Sequence, residues 1–230
     1  MIYLITGTSR GLGNDLALHY LNEGHYVIGL SRTNSIIKHK NFMDINCDLS
    51  NHEDIKSAFI SIRNEGHIVD VLINCAGVGH SNMLMVEGHD ELTETFMINS
   101  VAPMILMQLA ARQMRKNKFG RIINIGSINE ILKPNGSAAY SSSKKALSTI
   151  SEVASKELIS YGITVNTINL GAYGSGMSNK LNPIYLKNLL ESLPIKSKVN
   201  LSEVVHLINF FVDKKSATIT GQKIAMSGVN

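Results

Sequence analysis

An α/β fold, a doubly wound parallel sheet with helices on both faces, is what this sequence predicts. Three observations carry the prediction. Short apolar runs alternate with longer helical patterns from one end of the chain to the other. The short runs are continuously apolar, which marks strands buried on both faces and hence a parallel sheet. Alternating β and α units of this kind wind doubly around such a sheet. No linker, internal repeat or low-complexity tract interrupts them, so 1–230 reads as a single domain able to bury a substantial core.

Each element follows in order. Ile2 to Thr6 is a strand, and Leu12 to Glu23 a helix that Gly24 closes. Tyr26 to Ser31 forms the second strand and Phe42 to Cys47 the third. A helical stretch from Glu53 to Asn64 leads into the strongly apolar strand Val69 to Asn74. One long helix is expected over Glu91 to Lys118, then a strand over Arg121 to Gly126. Tyr140 to Tyr161 reads as helix, Ile163 to Asn169 as strand, Ser202 to Asp213 as helix, and Lys223 to Met226 as the last strand. The stretch 171–197 carries Gly, Ser, Asn and two prolines without periodicity. Long loops in compact domains often act as lids, so it is expected to cover the substrate.

Composition narrows the function. The chain is 44% hydrophobic and 17% charged with a formal charge of +4, ordinary values for a soluble globular protein. Its densest basic cluster, Arg112, Arg115, Lys116, Lys118 and Arg121, reads as the solvated end of a helix, and no block suggests nucleic acid. A modestly basic protein still favours anionic ligands such as phosphates. No apolar run reaches the ~18 residues of a membrane span. The chain starts directly on a strand with no basic n-region or cleavage site, so a cytoplasmic protein is expected. Two cysteines, Cys47 and Cys75, make no disulfide framework at this length and are expected to be buried, inert thiols. The eight histidines lack metal-ligand spacing, so no metal is expected. His80, just after the Asn74-Cys75-Ala76-Gly77 segment, is a candidate for lining a cleft.

The chemistry lies in two constellations. The run Thr6-Gly7-Thr8-Ser9-Arg10-Gly11-Leu12-Gly13 follows the first strand and opens the first helix. Glycines there allow a tight turn and close approach to a pyrophosphate, which the unpaired N–H groups of the helix start can hold. NAD-binding versions of this architecture place an acid at the end of the second strand to hold the ribose 2′-hydroxyl. Here Leu30-Ser31-Arg32 has none. Arg32 can instead fork onto a 2′-phosphate, with Arg10 as a second cation, so NADP(H) is expected over NAD. In the second constellation, Tyr140 and Lys144 stand one helical turn apart, on the same face. An adjacent ammonium favours the phenolate, which makes the phenol a usable proton donor near neutral pH. Ser127, from a strand end, can hold a carbonyl oxygen beside it. Together the two sets point to carbonyl reduction by a nicotinamide.

Across essentially its whole length the chain resembles the short-chain dehydrogenase/reductase family, whose fold is Rossmann-type. The matching motifs are Thr6 to Gly13, the adenine-contacting acid Asp48 with Leu49, the N-N-A-G segment as Asn74, Cys75, Ala76 and Gly77, the active-site Asn99, Ser127, and Tyr140 to Lys144. The resemblance implies that Tyr140 exchanges the proton, that Lys144 lowers its pKa and binds the nicotinamide ribose, that Ser127 orients the carbonyl, and that Asn99 holds a water linking Lys144 to solvent. It also implies cofactor contacts from Gly171, Tyr173 and Ser175. Where the family usually has Pro-Gly this chain has Leu170-Gly171, and Tyr173 replaces an aliphatic residue. The tail Ile219 to Val229, with Leu193-Pro194, is nearest to the 3-oxoacyl-acyl-carrier-protein reductase branch. That branch implies a ketone or acyl-thioester substrate, possible delivery on an acyl carrier protein, and a homodimer or homotetramer built on the long helices. Of the branch's carrier-docking cations, one matches Lys118 but another is Tyr161. A carbohydrate or specialised-metabolite ketone is the alternative substrate, and an idle NADP-binding regulator the alternative class.

Overall fold

The computed structural model describes residues 1–174 and 182–229. Seven parallel strands form one sheet in the order β3-β2-β1-β4-β5-β6-β7: β1 Ile2–Thr6, β2 Tyr26–Ser31, β3 Phe42–Asn46, β4 Val71–Asn74, β5 Gly120–Ser127, β6 Ile163–Leu170 and β7 Lys223–Ala225. The helices are α1 Gly11–Asn22, α2 His52–Asn64, α3 His89–Phe96, α4 Ala102–Met114, α5 Asn129–Leu132, α6 Ala138–Leu158, α7 Pro183–Ser192 and α8 Leu201–Val212. Alternate strand residues feed two separate cores, because successive side chains leave a strand on opposite faces. Tyr3, Ile5, Ile123 and Ile168 pack on one face with Leu16 of α1 and Ile208 and Phe211 of α8. Leu4, Ile28, Leu72 and Ile122 pack on the other with Ile55 of α2 and Leu106 and Ala110 of α4.

Strand order reverses between β1 and β4, and a crevice opens there at the strands' C-terminal ends. Thr6 closes its floor: its Oγ1 accepts hydrogen bonds from Cys75 N and Ala76 N, both at 2.9 Å. Leu170, standing where the family has proline, extends β6, and its carbonyl accepts from Ile128 N at 3.1 Å.

Three features depart from the expected elements. The helix expected over 91–118 is broken, with a π-helical turn at Met97–Val101 between α3 and α4. Pro103 has no N–H to give the Asn99 carbonyl, so the regular ladder cannot run through this point. The chain also forms α5 and α7, for which no helix is expected from periodicity. Inside the stretch read as a loop, α7 starts on a cap, the Asn182 side chain accepting from Ile184 N at 2.8 Å, with Pro183 at the first position.

Candidate active site

The glycine loop is a fitted cradle. Gly7 takes φ +79°, and a Cβ on Gly13 would lie 2.4 Å from the Gly7 carbonyl oxygen, so β1 and α1 cross too closely for any side chain. The helix start has no side-chain cap at Arg10, which is exposed, and the buried Thr8 Oγ1 has no hydrogen-bond partner. Free backbone donors and an unsatisfied hydroxyl beside a side-chain-free turn suit a phosphate-bearing group. Leu12 and Leu49 are packed in the cores, so they can offer only backbone. Ser9 is half-buried in the loop.

At the far end of the crevice, Ser31 Oγ donates to Thr33 O at 2.8 Å and so shapes the turn that carries Arg32. Asp48 accepts from Ser50 N at 2.9 Å and Ser50 Oγ at 2.7 Å; these bonds hold its carboxyl below the usual range, aided by Arg32. Arg32 leaves 64% of its side chain in solvent and lies 3.8 Å from Glu94 of α3. An acid therefore does stand at this end of the sheet, delivered from another element. His80 joins it, 3.3 Å from Glu94 and 3.8 Å from Glu91. No local motif marks Glu94, because the contact spans elements far apart in the chain.

At the other end, Asn99 and Lys144 border Gly77, Tyr140 lies beside Lys144, and Ser127 beside Tyr140. Ser127 Oγ accepts from Asn129 N at 3.1 Å and lies beside the Tyr140 hydroxyl. The Lys144 ammonium lies 5.9 Å from the Tyr140 ring centre and donates to the Ile125 carbonyl at 2.8 Å. A Cβ on Gly77 would sit 3.3 Å from Asn99 Oδ1 and 3.4 Å from Lys144 Nζ, so both border one small space. Asn99 clamps the loop after β4, accepting from Val78 N at 2.9 Å and donating to Val78 O at 2.8 Å.

Burial raises the Tyr140 pKa, and its neighbour Ser127 works the other way. Burial likewise brings Lys144 from 10.5 to about 8, with Cys75 opposing that fall. A desolvated lysine aimed at a carbonyl gives up its own charge more easily, so it supports a phenolate weakly. Both thiols are pushed up to about 12, burial first in each case, but only Cys47 is buried as expected; Cys75 is half-buried.

Several of the expected site residues have protein partners of their own. The Asn74 amide donates to Asn124 Oδ1 at 2.7 Å, tying β4 to β5. The Tyr173 hydroxyl donates to Asp15 of α1 at 2.8 Å. Gly171 lies where a Cβ would be 2.2 Å from Ser227 Oγ. Ser175 lies outside the described residues. Ser143, to which the motif reading assigns no chemistry, accepts from Asn99 Nδ2 at 3.0 Å and donates to Tyr140 O at 2.8 Å. Among the described residues no group of three His, Cys, Asp or Glu could hold a metal, and no helix is long and apolar enough to cross a membrane.

Comparison with known proteins agrees with this geometry. A 3-oxoacyl-acyl-carrier-protein reductase of Buchnera aphidicola subsp. Schizaphis graminum is 30% identical, covering 98% of this chain and 95% of its own. One from Salmonella typhimurium is 29% identical over 99% of this chain and 96% of its own. Among solved structures, a 4-hydroxyisoleucine dehydrogenase mutant complexed with NADH and succinate superposes with a TM-score of 0.93 at 25% identity, over 100% of this chain and 98% of its own. A short-chain dehydrogenase from Leptospira borgpetersenii serovar Hardjo-bovis with bound NAD+ gives 0.91 at 26% identity, over 99% and 91%. The short chain dehydrogenase family model matches residues 1–185. A glycine cradle at the strand-order reversal and a serine, tyrosine and lysine gathered beside it thus belong to a recognised lineage: this chain is a member of the short-chain dehydrogenase family, a Rossmann-fold oxidoreductase.

Proposed function

We propose that the chain reduces a ketone with NADPH, its substrate a 3-oxoacyl thioester or a similar small β-keto compound. The observation that carries this reading is the chain of neighbours from Ser127 to Tyr140 to Lys144, whose ammonium borders Gly77. Gly7, Thr8, Ser9, Arg10, Gly11, Leu12 and Gly13 would hold the pyrophosphate of the dinucleotide. Ser31, Arg32, Asp48 and Leu49 would hold its adenosine end, and Asn74, Ala76, Gly77, Gly171, Tyr173 and Ser175 would border the rest. When bound, the cofactor supplies hydride.

The protein's own part is proton handling and orientation. Ser127 Oγ donates to the substrate carbonyl oxygen and steadies the charge that develops there. The Tyr140 hydroxyl delivers its proton to that oxygen. A phenol raised by burial holds this proton firmly until negative charge appears beside it, which suits a donor in the reductive direction. Lys144, adjacent and near neutrality, replaces the proton. Asn99 spends its amide on Val78 and Ser143, so its carbonyl, which Pro103 cannot pair, is the group left to hold a water toward solvent.

The relatives' names support the thioester substrate. The exposed Tyr161, where that branch carries a docking cation, favours a second reading in which a free small ketone or keto-sugar arrives without a carrier protein. Exposed apolar side chains on the long helices, Met104 and Val153, support self-association as a homodimer or homotetramer. The deciding experiment follows NADPH consumption with acetoacetyl thioester, free and carrier-bound, beside simple ketones and keto-sugars. Turnover on the thioester is expected; faster turnover on a keto-sugar selects the second reading. No consumption with any of them would leave an idle nucleotide-binding protein.

A further inference from the structure

Arg32 is the residue on which the NADP reading stands, and two carboxylates face it. Asp48 feels its charge from the turn after β3. Glu94 reaches it from α3 at 3.8 Å. Glu94 is also held from behind. His80 Nε2 lies 3.3 Å from its other oxygen, and His80 Nδ1 lies 3.8 Å from Glu91, which accepts from the Asn82 amide. A histidine between two carboxylates thus aims one of them at the guanidinium. The acid that NAD-binding folds carry at the end of β2 is missing, and Glu94 reaches that same end from elsewhere.

We propose that Glu94 limits how strongly Arg32 can favour a 2′-phosphate, so that the Arg32–Glu94 pair sets selectivity between the two nicotinamide dinucleotides. The inference rests on Arg32 being the phosphate partner. Beside a ribose 2′-hydroxyl, Glu94 accepts a hydrogen bond and keeps its arginine. A 2′-phosphate draws the guanidinium away and is then left next to a carboxylate of like charge. The side chains of the pair are 64% and 37% exposed, so the contact itself is weak and a dianion can displace it. The repulsion stays after displacement. His80 acts through Glu94, as a positioning residue.

The test is separate titration of NADPH and NADH into the full-length protein, read as dissociation constants. Glu94→Gln keeps the shape and removes the charge. It should tighten NADPH by about fivefold, the scale of a surface charge contact, and leave NADH unchanged or weaker. Arg32→Gln should move the ratio the other way. If Arg32→Gln moves the ratio and Glu94→Gln does not, the role of Glu94 is overturned while the NADP reading stands. If neither moves it, both are overturned. His80→Asn should shift the ratio as Glu94→Gln does, by less; an unmoved ratio there removes the positioning role.

Discussion

Lys144 keeps 4% of its surface in solvent and spends its ammonium on the Ile125 carbonyl, whereas Arg32 leaves 64% of its side chain in water and meets Glu94 at 3.8 Å. Arg32 follows β2 directly, while Lys144 reaches from α6 to a carbonyl of β5, with β1 and β4 lying between those two strands. Burial sets their chemistry apart. In the dry region around Tyr140 protonation moves from its ordinary range because desolvation penalises charge: the phenol is raised and the Lys144 ammonium lowered. At the wet adenosine end, charges are screened and pairs are worth little, so contacts there can change without disturbing the fold. Chemistry sits where exchange of a single atom is costly; selectivity sits where it is cheap.

The sharpest way to break this contrast is Tyr140→Phe. Loss of the hydroxyl should lower kcat by about 10²–10⁴-fold and leave NADPH affinity nearly unchanged. Steady-state turnover beside a binding titration reads both, and retained turnover would refute the donor assignment. Lys144→Met tests the cost of the dry site. Folded Lys144 titrates at about 8 against 10.5, so its charged form is penalised in full below that pH. The penalty lifts as pH rises from about 8 toward 10.5. The variant should therefore be more stable than the parent at neutral pH, by at most about 3 kcal/mol, with the gap closing in alkali. Urea unfolding at the two pH values checks it, and a constant gap would contradict the argument.

At the wet end, Arg32→Asp should move the NADPH-to-NADH affinity ratio by roughly ten- to a hundredfold toward NADH, the worth of a charge-assisted bond. An unchanged ratio would mean that Arg32 does not meet the phosphate. Thr6→Val probes the floor between the two ends. It strands the N–H groups of Cys75 and Ala76, and denaturant unfolding should show a loss of about 1–2 kcal/mol. The smallest effect is the stability of Arg32→Asp itself, within about 0.5 kcal/mol of the parent, as expected for an exposed side chain.

Much of the catalytic end is legible in the chain. Tyr140 and Lys144 share a helix, so their spacing alone places them together, and the glycine loop is local too. Ser143 is local as well, yet its use is hidden, because its partner Asn99 comes from another helix. The π-helical turn that sets Asn99 has a readable cause in Pro103, but an unbroken apolar period from 91 to 118 outweighs one proline in a pattern reading. Glu94 carries no signal at all. Asn182-Pro183 starts α7 inside a stretch read as a loop for its Gly, Ser, Asn and prolines, and α7 buries no residue.

What the sequence by itself determined is therefore whatever a few neighbouring residues decide: the alternation of strands and helices, the side-chain-free phosphate turn, and the Tyr140–Lys144 pair. Only the tertiary structure decided how deeply that lysine is buried and the company of Arg32. Burial depends on elements far apart in the chain, and so do charges brought across a crevice; periodicity cannot report either.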